Sequence, residues 1–185
     1  MKGVDGTKGT TGSTGTNGII GSTGANGIIG STGANGTAGQ NAVDAYGTSK
    51  LTINAVKGAP QWQSIPGLAQ TITVPANGFL WIHTDGAIQT TSTSVGGFST
   101  VDIAIFIGGS LLNNGGFKRV TAANSSAGAM IENYAMGVIV PPNSLSRSIT
   151  IEVRARYNNG SSATVSGSPP RDVTQGVLSV IIIKQ

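Results

Sequence analysis

Residues 3–39 read GVDGTKGTTGSTGTNGIIGSTGANGIIGSTGANGTAG, and glycine occupies every third position of this stretch without a break. A strict glycine period of three is the pattern of a triple helix, in which three polyproline-II-like chains wind about an axis that only glycine fits. The alternative is a flexible glycine-rich linker, but a linker has no reason to keep a strict phase. The repeat therefore predicts a triple-helical stalk and an assembly of three copies.

The predicted axis positions all belong to this repeat. They are Gly3, Gly6, Gly9, Gly12, Gly15, Gly18, Gly21, Gly24, Gly27, Gly30, Gly33, Gly36 and Gly39. The first proline of the chain is Pro60, so no proline presets the polyproline-II backbone of the stalk. We therefore expect the stalk to depend on a second, trimeric domain for alignment of its chains.

With this repeat, the chain resembles collagen-like proteins of phage fibres and bacterial surfaces. The resemblance implies a rod that projects another domain. We predict a collagen-like stalk over residues 1–41, a neck over residues 42–59 and a head over residues 60–185. The nine residues 18–26 recur unchanged as residues 27–35, which favours a segment selected for its length.

The head shows short strand-like segments separated by turns, without convincing helical periodicity. The clearest alternation covers residues 148–157, where Ile151 and Val153 are predicted to point inward and Glu152 and Arg154 outward. Residues 75–78, with the sequence PANG, predict a turn, and so do residues 158–160, NNG. The pattern predicts an all-β jelly roll or β-sandwich.

Two predicted strands, residues 101–107 and 177–183, are apolar on nearly every position. Strands buried on both faces have this composition. In a trimer, one face of such a strand would meet the core and the other the threefold axis. The residues predicted to form the trimer interface or the core are Val101, Ile103, Ile105, Ile107, Val180, Ile181, Ile182 and Ile183.

Residues 60–185 resemble the complement C1q and tumour necrosis factor jelly rolls that often follow collagen-like stalks. The matching segments are PANG before FLWI, VDIAIFIGG, PPNSLSRSITIEVRA and the terminal GVLSVIIIK. This resemblance implies a compact homotrimer with loops at its distal end and no catalytic residues.

Three residues are candidates for ligand contact, namely Trp62, Trp81 and His83. Exposed tryptophans stack on sugars, although packing of Trp62 in the core or neck is the alternative. His83 is the only histidine, and three copies meeting on an axis would form a metal site; the alternative is a half-buried histidine beside Trp81. No catalytic motif is present, and we expect neither an enzyme nor a cofactor nor a bound metal.

The composition limits the classes of molecule that the protein is expected to bind. The net charge is +4, but the basic residues are scattered, so we expect no nucleic acid partner. No apolar run is long enough to span a bilayer, and there is no cysteine. No export signal follows Met1, so either the protein assembles inside a host cell, as phage proteins do, or an upstream region carries the anchor.

The sequence thus predicts a non-enzymatic homotrimeric fibre or spike, whose stalk projects a head for attachment to a receptor or surface. The expected location is a phage virion surface, joined to a capsid or to a longer upstream region, or a cell surface. One alternative is a filament subunit of a bacterial surface or extracellular matrix. A second alternative is a carbohydrate-binding, lectin-like module that contacts cell-surface glycans.

Overall fold

In the computed structural model, the described residues are 3, 6–19, 41–56, 58, 60–126, 128–167 and 174–184. The chain divides into two units, Met1–Gly36 and Thr37–Gln185. All the strands given below lie in the second unit. The residues predicted as a neck contribute two of these strands.

The collagen triple helix predicted for residues 1–41 is wrong, because the described part of the chain contains β-strands and no helix. Residues 3 and 6–19 have no regular secondary structure. A Cβ atom added at any of Gly3, Gly6, Gly9, Gly12, Gly15 or Gly18 would have nothing within 4 Å. In a triple helix the crowding at each glycine comes from the two neighbouring chains; within one chain these positions are open. The axis positions Gly21, Gly24, Gly27, Gly30, Gly33, Gly36 and Gly39 lie outside the described residues.

Twelve strands follow in the described part of the second unit. They are β1 (Asn41–Tyr46), β2 (Leu51–Ile53), β3 (Gln63–Val74), β4 (Phe79–Thr90), β5 (Phe98–Ile107), β6 (Ser110–Leu111), β7 (Phe117–Ser125), β8 (Gly128–Ala129), β9 (Ile131–Val140), β10 (Arg147–Gly160), β11 (Ala163–Val165) and β12 (Val177–Ile183).

The strands form two antiparallel sheets. Sheet A has the order β1-β12-β4-β11-β2. Strands β12 and β11 pair one after the other along the same edge of β4, and β9 pairs along its other edge. Sheet B has the order β3-β10-β5-β7-β8, and β6 also pairs with β5. The strands β2, β3, β4 and β5 alternate between the sheets; across the core, β3 packs against β1 and β12, and β4 packs against β7 and β5. The all-β sandwich predicted for the head is thus present.

The core lies between the sheets and follows the period-two alternation of the strands. In β10, Ile151, Val153 and Ala155 are fully buried, as the sequence pattern predicted. In β4, Leu80 and Ile82 are buried, whereas Trp81 is exposed. Apolar residues at alternate positions therefore place one face of each long strand in the core.

Strand β5 is buried on both faces within a single chain. Val101, Ile103 and Ile105 face the core, and on the opposite face Asp102 and Phe106 are also buried. The second face of β5 is therefore covered within one chain, and contact of this strand with a threefold axis stays a prediction. Strand β12 instead alternates: Val180 and Ile182 are buried in the core, whereas Ile181 and Ile183 are only partly buried. Ile107, at the end of β5, is also only partly buried.

The sequence pattern missed β7 and placed the end of β10 too early. The core-facing positions of β7 are Val120, Ala122 and Asn124, so its alternation contains few large apolar side chains. Residues 158–160 do not form the predicted turn, because after a bulge β10 continues pairing with β5 as far as Gly160. The turn predicted at residues 75–78 is confirmed, since the Gly78 N–H donates to the Pro75 carbonyl at 3.1 Å.

Candidate interaction surfaces and a polar cavity

The solvent-facing side of sheet A, called here the sheet A outer face, is formed by alternate residues of four adjacent strands. They are Ala42, Asp44 and Tyr46 of β1, Val177, Ser179, Ile181 and Ile183 of β12, Phe79, Trp81, His83 and Asp85 of β4, and Ala135, Gly137 and Ile139 of β9. The strand registers align these side chains into rows across the sheet. One row is apolar throughout and consists of Ala42, Ile181, Trp81 and Ile139.

Large apolar side chains of this face meet solvent in the single chain. Ile139 is 63% exposed, Tyr46 is 52% exposed and Trp81 is 38% exposed. The indole of Trp81 stacks on the His83 ring, with centroids 5.9 Å apart. An antiparallel sheet that faces only water normally presents polar residues, so contiguous exposed apolar side chains indicate a surface for contact with another molecule.

The opposite side of the sandwich, on sheet B, carries a buried carboxylate between two arginines. Asp102 of β5 lies directly across from Arg119 of β7 and from Arg156 of β10. Its Oδ1 accepts from Arg119 Nε at 2.7 Å, and its Oδ2 accepts from Arg156 Nε at 3.1 Å and from Asn158 Nδ2 at 3.4 Å. The carboxylate is thereby paired on both flanks, which is the condition for tolerating a buried charge.

An aromatic cluster covers the same side of β5. Trp62 packs edge-on against Phe106 and Phe117, with centroids 5.4 Å and 6.3 Å away. The guanidinium of Arg154 lies 4.3 Å from the Phe106 ring centroid, and that of Arg156 lies 4.5 Å from the Trp62 ring centroid. These contacts explain why the second face of β5 is buried without a partner chain.

Two hydrogen bonds to its carboxylate favour the ionised form of Glu152. Arg154 Nη2 donates to Glu152 Oε1, and Ser64 Oγ donates to Oε2 at 2.7 Å. The hydrogen bond from Arg154 is the main reason that the pKa of Glu152 lies below its usual value, and the bond from Ser64 acts in the same direction. Glu152 is therefore paired through both of its carboxylate oxygens on the sheet B face.

A solvent-open cavity of about 530 Å³, with both polar and apolar groups in its lining, lies beside β4 and β9. Its lining includes Asp85, Gly86, Lys118, Asn133, Tyr134 and Gln175. Burial, with a smaller contribution from the charge of Asp85, raises the pKa of the Tyr134 hydroxyl far above its usual value. The hydroxyl therefore keeps its proton at neutral pH and can donate a hydrogen bond.

The three predicted ligand-contact residues do not form one site. Trp81 and His83 lie together on the sheet A outer face, whereas Trp62 packs on sheet B against Phe106. Within the described residues, no group of three histidine, cysteine or acidic side chains is arranged to hold a metal ion. Of the residues predicted for the trimer interface or core, Val101, Ile103, Ile105, Val180 and Ile182 lie in the core, whereas Ile181 and Ile183 lie on the sheet A outer face.

The sequence prediction missed the cavity residues Lys118, Asn133, Tyr134 and Gln175. One signal was present, because a glycine at position 86 inside a strand pattern indicates a bulge or a close approach. In the structure, a Cβ at Gly86 would lie 2.7 Å from the Tyr134 hydroxyl oxygen. The other residues come together only through the pairing of distant strands.

Comparison with known proteins gives no assignment for this chain. No protein-family model matches it, and no curated protein shows significant similarity to it. Among the residues that the structure describes, no helix is long and apolar enough to cross a membrane.

Proposed function

We propose that this chain is a non-enzymatic structural and attachment protein of a fibre or spike. Its β-sandwich acts as a head that assembles with two further copies through the sheet A outer face. The head is displayed on a virion or cell surface, where it contacts a receptor or another surface. The observation that carries the proposal is the exposed apolar row of Ile181, Trp81 and Ile139.

Self-association would remove this row from water. Burial of apolar surface contributes roughly 25 cal/mol per Å², and the row lies on hydrogen-bonded strands rather than on a loop. The adjacent row contains Asp44, Ser179 and His83, whose polar groups would set the register between copies. An apolar centre with polar neighbours is the usual composition of a protein–protein interface.

The mass of the full chain in solution tests the proposal, measured by sedimentation equilibrium at micromolar concentrations. We expect a mass of three chains. Ile139→Glu should shift the mass toward a single chain, because it places a carboxylate in the apolar row. Val95→Glu is the matched control, since Val95 is 77% exposed in the loop between β4 and β5, away from this face.

A single-chain mass for the wild-type protein would overturn the proposal. An unchanged trimer in Ile139→Glu would show that the copies meet through another surface. Because Ile139 is well exposed in the single chain, the substitution leaves the core intact, and circular dichroism should show the same β-sheet content in both variants.

A further inference from the structure

The solvent-facing side of sheet B, formed by the outward residues of β10, β5 and β7 and called here the sheet B outer face, presents arginines above carboxylates. The side chain of Arg119 is 53% exposed, whereas that of its partner Asp102 is fully buried. Arg154 is likewise more exposed than its partner Glu152. With Arg156, three arginines surround two carboxylates, so the cluster keeps one net positive charge and the charge that meets solvent is cationic.

The buried carboxylate of Asp102 fixes the orientation of two guanidinium groups. Arg119 binds it through Nε and Nη2, and Arg156 binds it through Nε. Among the described residues, no hydrogen bond occupies Nη1 of Arg119 or either Nη atom of Arg156. Their remaining N–H groups are therefore available to a ligand. Because both arginines are already oriented, an anion that binds them pays little of the usual cost of ordering long side chains.

An exposed aromatic ring lies next to these cations. Phe117 and Arg119 are two residues apart on β7, so their side chains point to the same face. Phe117 is 42% exposed even though it packs against Trp62. Two residues beyond Arg119, the exposed Thr121 places its hydroxyl on this face as well. Successive outward positions of β7 therefore offer an apolar ring, a cation and a hydroxyl.

We infer that this part of the sheet B outer face binds a sugar residue that carries a carboxylate, of the uronic acid or sialic acid class. The apolar face of the sugar ring packs on Phe117, its carboxylate accepts from Arg119, and a ring hydroxyl pairs with Thr121. The inference rests on the proposed role of the head in attachment and names the class of molecule that the head contacts. Because the sheet A outer face lies on the opposite side of the sandwich, assembly through that face leaves this site open.

The charge of the site argues against other ligand classes. An apolar ligand would cover the Arg119 guanidinium without pairing it, at a cost in affinity. Inorganic phosphate carries more than one negative charge at neutral pH and exceeds the single net positive charge of the cluster. A polyanion such as nucleic acid needs many unpaired cations, whereas each arginine here already shares a carboxylate. A sugar with one carboxylate meets none of these obstacles.

The test compares acidic sugars with neutral counterparts by saturation-transfer NMR on the full-length protein. The pairs are D-glucuronate with D-glucose and sialyllactose with lactose, each at ~10 mM, a concentration that reveals millimolar dissociation constants. In each pair only the acidic member carries a carboxylate. We expect saturation transfer to at least one acidic sugar and at least tenfold weaker binding of its neutral counterpart. Inorganic phosphate, added as a competitor at the same concentration, should not displace the acidic sugar.

Two variants locate the site. Arg119→Gln removes the exposed cation, and we expect it to weaken binding of the acidic sugar at least tenfold. Lys118→Gln is the matched control, because Lys118 carries the same charge but points away from this face, where its Nζ donates to the Ala135 carbonyl. Phe117→Ala removes the ring, keeps the pairing of Arg119 with Asp102 and should also weaken binding. It therefore tests the site even if Arg119→Gln lowers the yield of folded protein.

Several results would overturn the inference. Absence of binding by both acidic sugars, or equal binding of the acidic and neutral members of each pair, would reject the ligand class. Displacement by phosphate would assign the cations to a phosphate-bearing ligand. Binding that both Arg119→Gln and Phe117→Ala leave unchanged would place the sugar elsewhere. Sedimentation keeps the two proposals apart, since a trimer that binds no acidic sugar rejects this inference alone, and a single chain that binds one rejects only the assembly.

Discussion

Asp102 lies directly opposite Arg156 in the pairing of β5 with β10, and its fully buried Oδ2 accepts from the Arg156 Nε at 3.1 Å. On the other side of the same strand, Arg119 completes the pairing of the carboxylate. One acidic side chain therefore links three adjacent strands of sheet B. The arginines are partly exposed, so water can solvate them if the acid is removed.

Asp102→Ala should lower the free energy of unfolding by about 1–3 kcal/mol, because it removes the hydrogen bonds of both arginines from a buried position. The loss stays below that of breaking a wholly buried pair, since Arg119 and Arg156 remain accessible to water. Urea unfolding followed by circular dichroism measures the change. Glu132→Ala, which removes an exposed carboxylate on β9, should change stability by far less. Equal effects in both variants would contradict the structural role of Asp102.

Glu152→Gln should destabilise the protein at neutral pH by less than about 1 kcal/mol, since the ion pair with Arg154 is only partly buried. The pKa of Glu152 is depressed in the folded state from an ordinary value of 4.5. Its ionised form therefore adds stability above that value, and this contribution disappears as the pH falls through the folded pKa.

The measurement is the difference in unfolding free energy between wild type and Glu152→Gln in urea, from about pH 7 down to about pH 3. We expect the difference to shrink with falling pH. Glu132→Gln, at an exposed position, provides the baseline for general charge effects. A difference that grows on acidification would contradict the assigned pairing.

Ile151→Asp should abolish most soluble, folded protein. Ile151 is fully buried in the core-facing row of β10, and an unpaired buried carboxylate costs several kcal/mol. Ser148→Asp is the matched control, because Ser148 is exposed on the same strand and its carboxylate would meet water. Soluble yield and thermal melting of the two variants provide the comparison. Normal melting of Ile151→Asp would show that the phase of β10 is incorrect.

Gly86→Ala should cost about 1–3 kcal/mol of stability, because its Cβ would lie 2.7 Å from the Tyr134 hydroxyl oxygen. Tyr134→Phe removes that oxygen and should reduce the cost when the two substitutions are combined. Part of the cost should remain, since the Tyr134 Cζ atom would still lie 2.9 Å away. A double-mutant cycle in urea measures this coupling, and strict additivity would contradict the proposed clash.

The local pattern of the sequence was enough to predict an all-β sandwich head and the phase of its main strands. Alternation in residues 148–157 depends only on the period of two that every strand imposes, so the burial of Ile151 and Val153 could be derived without a partner strand. Strand β7 was not predicted because its core-facing residues are small or polar. Its position in sheet B depends on its pairing with β5.

The glycine period of residues 3–39 was locally unambiguous in the sequence, yet the predicted collagen helix is absent from the described residues. A local glycine period indicates which backbone conformations a chain can adopt. The crowding that requires glycine arises only from contacts between chains.

By itself, the sequence determined the class of the head and the core-facing residues of its longest strands, because these follow from side-chain alternation within one segment. Only the tertiary structure decided what covers the second face of β5, where Trp62 and Arg156 stack over it, and which residues line the cavity beside β4 and β9. It likewise decided that Trp81 and Ile139 share an exposed row. The physical reason is that these contacts join residues distant in sequence, whose positions are set by strand order and register and not by local pattern.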